Sequence, residues 1–172
     1  MLMNKQDIEK YLELVGQELA TQGLAFELLL LGGAVMVIEV GNRESTQDID
    51  TFFWPDFAAM AKAAAVVARR EGLPDGWLNT AAAGFTYNFQ KLPVKKLWKK
   101  FPGLEVYTAS LEYILVSKLM ASRLKDHEDI KALATQLQIS KQKDMLTLVR
   151  EYVSVEDISE DVLDEIADLF EP

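Results

Sequence analysis

The apolar positions of this chain change period several times, and each change marks an element. From Asn4 to about Gln22, Ile8, Tyr11, Leu12, Val15 and Leu19 recur at helical spacing, and Gly23 closes the segment. Within Ala25–Leu31, the wholly apolar Leu28–Leu31 reads as a short strand buried on both faces. The pair Gly32-Gly33 breaks the run, Ala34–Val40 has the length of two helical turns, and Gly41 stops it. Asp48–Phe53 reads as a second strand, with Asp48 and Asp50 on one face and Ile49 on the other. An alanine-rich helix starts at Pro55-Asp56 and runs to about Glu71.

Between Gly72 and Gly103 prolines and glycines are frequent and the pattern loosens. Phe85–Phe89 predicts a short strand there. Lys91–Phe101, KLPVKKLWKKF, predicts a solvated helix turn that packs Val94, Leu97 and Trp98 inward. Leu104–Thr108 reads as a third core strand. Ser110 is placed to cap a helix from Leu111 through Lys118, bent or broken near Asp126. Ser140 to Phe170 predicts two further helices, the last capped by Ser159, with an acidic solvated face and Leu163, Ile166, Leu169 and Phe170 packed inward. The fold class is α/β (α+β): a small mixed β-sheet, flanking helices and a helical C-terminal part. One domain over 1–172 is expected, with a core at about 24–135 and C-terminal helices at about 140–170.

Composition narrows the partners. The net charge of −9 repels nucleic acid and anionic membrane over the surface as a whole. The exception is Lys91–Lys100, whose five lysines surround Trp98 ahead of Phe101, a place for an RNA acceptor or a nucleotide tail. The chain has no cysteine, its start MLMNKQDIEKYLEL is charged rather than a signal peptide, and no apolar run reaches membrane-spanning length. A soluble cytoplasmic protein is the expectation.

The candidate chemistry lies in LLLLGGAVMVIEVGNRESTQDIDTFF, residues 28–53. Glycines without a Cβ let a ligand approach the backbone, and a helix starting there aims its free N–H groups at an anion. Two carboxylates on one strand face repel each other unless a cation lies between them, and Mg²⁺ prefers oxygen ligands. The bland alternatives are a tight turn and a strand end with capping aspartates. In Lys118–Asp129, KLMASRLKDHED, a continuous helix would set Lys118 and Asp129 about 20° apart in azimuth. Arg123 and Asp126 would lie one turn apart, either facing a cleft or forming ordinary surface ion pairs. His127 is the chain's one histidine and reads as a surface residue.

The order Gly-Gly, short helix, Arg-x-Ser/Thr, Asp-x-Asp resembles the nucleotidyltransferase superfamily, whose fold is named after DNA polymerase beta. The spacing from Gly33 to Asp48 resembles the bacterial branch containing the abortive-infection (AbiEii-type) toxins. Lys118, Ala121, Arg123, Lys125, Asp126 and Asp129 resemble that branch's Lys-x-x-Ala-x-Arg and Lys-Asp-x-x-Asp segments, and the Trp77-Leu78-Asn79 turn is similar too. The likeness spans roughly residues 28–135.

It implies a nucleotidyltransferase that moves a nucleoside monophosphate from an NTP to an acceptor hydroxyl, in RNA, protein or a small molecule, with a toxin-like role. Asp48 and Asp50 would hold Mg²⁺ or Mn²⁺. Gly32, Gly33, Arg43, Ser45 and Arg123 would bind the nucleotide. Lys118 and Asp126 would join the catalytic set, the third carboxylate being Glu105 or Asp126. Two other classes stay open: a non-catalytic nucleotide-binding or protein-interaction module with a protein partner or a second copy, and a purely structural domain.

Overall fold

The computed structural model describes residues 1–54, 56–86 and 88–171, with 53, 54, 83 and 85 described by their backbone alone. The chain divides into two compact units. The first comprises Met1–Ala83 with Lys95–Ala109, and the second Gly84–Val94 with Ser110–Pro172.

The first unit is built on a five-stranded mixed sheet in the order β3 (Leu78–Asn79), β2 (Ile49–Trp54), β1 (Phe26–Leu30), β5 (Leu104–Ala109) and β4 (Lys95–Phe101). Helix α1 (Lys5–Thr21) is held at its start by a capping box between Asn4 and Asp7. It lies on the sheet through Gly16, where an added Cβ would sit 2.6 Å from the Pro102 carbonyl oxygen. Strand β1 (Phe26–Leu30) pairs antiparallel with β2 (Ile49–Trp54) and parallel with β5 (Leu104–Ala109). A parallel pair needs a long connection, which is why the central neighbours β1 and β5 are far apart in sequence. Strand β3 (Leu78–Asn79) runs beside β2, and helix α3 (Phe57–Glu71) begins after Asp56, whose carboxylate accepts from the Ala58 and Ala59 N–H groups. Pro55, expected at that start, lies outside the described residues.

Two expectations are corrected here. Phe85–Phe89 is not a strand: its start belongs to a 3₁₀ turn at Ala81–Thr86, and residue 87 lies outside the described residues. Lys95–Phe101 is not a helix turn but the edge strand β4, antiparallel to β5, with Val94 and Leu97 exposed rather than packed inward. Its alternating charge mimics a helix face, and only the availability of β5 as a partner selects the strand. Lysines on such an edge oppose pairing with another chain.

The second unit is helical: α4 (Leu111–Ala121), a 3₁₀ turn Leu124–Asp126, α5 (His127–Gln136), α6 (Gln142–Tyr152) and α7 (Glu160–Asp168). Ser159 caps α7 as expected by accepting from the Val162 N–H. Ser110 occupies the N-cap position of α4, yet its hydroxyl makes no capping bond. Phe89, Tyr113 and Tyr152 pack together with ring centroids 5.2–6.1 Å apart. Along α7, Val162 and Ile166 are buried, whereas Leu163, expected inside, is 40 % exposed. His127 is half-buried, lining a cleft of about 480 Å³ opposite Asp161, Asp164, Glu165 and Asp168. Among the described residues, no helix is long and apolar enough to cross a membrane.

Candidate functional site

In the first unit, the end of β1 and the start of β2 bring the glycines to the aspartates. Leu31 N–H donates to the Asp50 carbonyl oxygen at 2.9 Å, so the chain reaches Gly32 directly beside Asp50. Gly32 turns with φ +52°, and a Cβ there would lie 2.7 Å from Asp50 Oδ2. A Cβ on Gly33 would lie 2.5 Å from Thr46 Oγ1. Gly32 is therefore required by its left-handed turn and by its close approach to Asp50, and Gly33 by its close approach to Thr46. Helix α2 (Gly32–Val35) continues into a π-helical turn, Met36–Val40, and Gly41 ends it at φ +73°. Wide turns of this kind recur at functional sites, and none is readable from a hydrophobic period.

Asp48 lies just before β2 rather than in it, which corrects the expected strand start. It is exposed, while Asp50 is half-exposed. The Asp48 carbonyl accepts from Thr46 Oγ1 at 3.0 Å, and its Oδ2 accepts from Asn79 Nδ2 at 3.4 Å. Arg43 and Ser45 are half-exposed in the loop ahead of Thr46, which is itself buried and bridged to Met3. The hydroxyl against Gly33 is that of Thr46. The alternation of Thr46, Asp48 and Asp50 was the available signal for Thr46, and the β2–β3 register sets Asn79, noted in sequence only as part of the Trp77-Leu78-Asn79 turn, beside Asp50.

Glu105 does not complete this site. Asp50 lies one residue beyond the Leu30–Thr51 pair, at the level of Leu31, whereas Glu105 pairs with Glu27. That places it four residues back along the sheet, about 13 Å. There Glu105 accepts from Lys100 Nζ and the Tyr107 hydroxyl, each at 2.7 Å. The Lys100 bond, then the Tyr107 bond, hold its carboxyl below the usual range. Its hydrogen bond in turn pushes the Tyr107 phenol up to about 12. Among the described residues, no group of three His, Cys, Asp or Glu side chains could hold a metal ion. Asp48 and Asp50 remain as two hard oxygen donors beside a backbone cradle, a set that suits Mg²⁺ when phosphates and water supply the other ligands.

In the second unit, α4 stops at Ser122, which takes the left-handed conformation at φ +43°, and the chain folds back through the 3₁₀ turn. The turn returns Asp126 to the helix it left. Lys118 Nζ is 2.6 Å from Asp126 Oδ1 and 2.7 Å from Asp129 Oδ2, with the three side chains 5 %, 2 % and 1 % exposed. Arg123 Nε donates to Asp126 Oδ2 at 2.7 Å and is 44 % exposed. Burial pushes the Asp126 carboxyl up, but Lys118 and Arg123 outweigh it and hold it below the ordinary value. Two cations and two anions leave no net charge within this set, and Lys118, expected in the catalytic set, lies buried between the two carboxylates.

Each lysine of the basic stretch also meets a carboxylate. Lys96 pairs with Glu39 at 3.0 Å, Lys99 with Glu9 at 2.8 Å, Lys100 with Glu105 at 2.7 Å and Lys91 with Glu151 at 2.9 Å, and Lys95 pairs with Glu27.

A mixed sheet with a glycine turn against an aspartate strand is consistent with the α+β architecture of a nucleotidyltransferase. The chain belongs to the family described as "Nucleotidyltransferase of unknown function (DUF6036)", whose sequence model matches residues 9–167. No curated protein and no solved structure matches the chain.

Proposed function

We propose that the chain transfers a nucleoside monophosphate from an NTP to an acceptor hydroxyl. The acceptor oxygen bonds to the α-phosphorus, the bond to the β-phosphate oxygen breaks, and pyrophosphate leaves as the hydroxyl proton passes to solvent. The observation that carries this reading is the approach of Gly32 to Asp50 at the mouth of the sheet, in a chain of this family. Asp48 and Asp50 would hold Mg²⁺ or Mn²⁺, which would neutralise phosphate charge and lower the pKa of an attacking hydroxyl. Gly32 and Gly33 leave room for phosphate oxygens, Thr46 fixes the backbone of Asp48, and Ser45 and Arg43 line the same loop. In the second unit, Lys118 holds Asp126 and Asp129, leaving the half-exposed Arg123 as the cation of that set. The ion-paired lysines of β4 favour a protein or small-molecule acceptor over RNA along that strand.

The test is thermal melting with each of the four NTPs, with and without Mg²⁺ or Mn²⁺. A metal-dependent rise in wild type that Asp48→Asn/Asp50→Asn abolishes supports the site. No shift with any NTP would sink it. Labelled NMP transfer to a protein or small-molecule acceptor then establishes turnover. The toxin-like role rests on the motif resemblance, and growth arrest by wild type but not by the double variant is its test.

A second reading, nucleotide binding without transfer, is favoured by one observation: no third carboxylate joins Asp48 and Asp50 among the described residues. Metal-dependent stabilisation without transfer to any acceptor would identify it.

A further inference from the structure

Strand β3 contributes only Leu78 and Asn79, yet its pairing with β2 sets Asn79 beside Asp50 in the register of adjacent parallel strands. Paired residues of neighbouring strands point to the same face, so Asn79 shares the face of the cation-site candidate. Its side chain is fastened from three sides. The Oδ1 accepts from the Ala81 N–H at 2.8 Å, and Nδ2 donates to the Gly76 carbonyl at 3.1 Å and to Asp48 Oδ2 at 3.4 Å. The Thr51 hydroxyl, on β2, donates to the Asn79 carbonyl at 3.1 Å and ties the two strands together. These bonds also fix which end of the amide is nitrogen, since a backbone N–H and two acceptors flank it.

Asp48 needs such a support. It is exposed, precedes the strand and so lacks the ladder bonds that hold Asp50. We propose that Asn79 is a positioning residue that orients the Asp48 carboxylate beside Asp50 for a divalent cation. The inference rests on the cation-site reading of Asp48 and Asp50 above. A neutral amide suits the task, because it donates to one oxygen of Asp48 without adding charge and leaves the other free to ligate. A carboxylate at 79 would repel Asp48 in the metal-free protein and attract the cation instead. Partners of this kind typically alter metal affinity about 10–100-fold when removed.

The experiment is a titration of the full chain with Mn²⁺ alone, read by calorimetry, for wild type, Asn79→Ala, Asn79→Asp and Asp48→Asn/Asp50→Asn. Asn79→Asp keeps the acceptor for the Ala81 N–H and replaces only the donor, so it reports on the site even if Asn79→Ala loosens the turn. Metal-free melting curves check folding. The expected result is Mn²⁺ binding about tenfold weaker in Asn79→Ala. Asn79→Asp should bind more tightly than Asn79→Ala through its added charge. Equal affinity in wild type and both variants, or Asn79→Asp no tighter than Asn79→Ala, overturns the role of Asn79 and leaves the cation site standing. Wild-type binding that is absent, or that Asp48→Asn/Asp50→Asn leaves unchanged, overturns the cation site and this role with it.

Discussion

The ammonium of Lys118 lies 2.6 Å from Asp126 Oδ1, with both side chains almost wholly withdrawn from water. Burying either charge alone is costly, so the two depend on each other and on Asp129. Lys118→Met, close in volume, leaves Asp126 and Asp129 without their shared cation. It should destabilise the protein by about 3–5 kcal/mol, the usual cost of breaking a buried pair from one side. Chemical denaturation measures this, and a loss under about 1 kcal/mol would contradict the structural role.

The same pair has a pH signature. The folded Asp126 carboxyl titrates below its ordinary value near 3.8. Its stabilisation is therefore complete above that value and is lost as pH falls through the depressed folded pKa. Asp126→Asn should be clearly less stable than wild type at pH 7, with the gap closing towards pH 3. Melting temperatures across that range decide it, and a constant gap would show that Asp126 acts by shape rather than charge.

The glycines make a separate test. Gly32→Ala meets both a left-handed φ and Asp50, and Gly33→Ala meets Thr46. Each should cost about 1–3 kcal/mol as the neighbours give way, and each should weaken any NTP-dependent stabilisation. Gly84→Ala, where an added Cβ has nothing within 4 Å, is the control that should melt like wild type.

At the sheet edge, Lys96 and Lys100 are 71 % and 61 % exposed in their ion pairs. Pairs of this kind contribute about 0.2–1 kcal/mol each, so Lys96→Val/Lys100→Val should change the melting temperature little. Removing charge from an unpaired edge should nevertheless promote self-association. Size-exclusion chromatography over a concentration series measures it, and an unchanged elution volume would refute the protective role.

Much of this architecture is readable in residue order. The capped helix at Lys5–Thr21, the strand before Gly32, the Gly41 stop and the Asp56-capped helix are local consequences of spacing and backbone freedom. The glycine and aspartate motifs belong with these, because both lie in one strand–turn–helix–strand passage. Their meeting follows from a short connection.

Other features depend on partners distant in sequence. Whether Lys95–Phe101 became helix or strand rested on the backbone groups that β5 offered, and the carboxylates those lysines meet, Glu9, Glu27, Glu39 and Glu105, all come from other elements. Glu105 had the right residue type in the right strand, yet the parallel register placed it at the wrong end. Lys118 read either as a cleft cation or as a member of ion pairs, and the reversal at Ser122 is what brings Asp126 back onto it. Sequence alone determined the local elements and the chemistry that one short loop can assemble. Register and burial decided which charges are exposed and which neutralise one another, because both depend on atoms that spacing along the chain does not bring together.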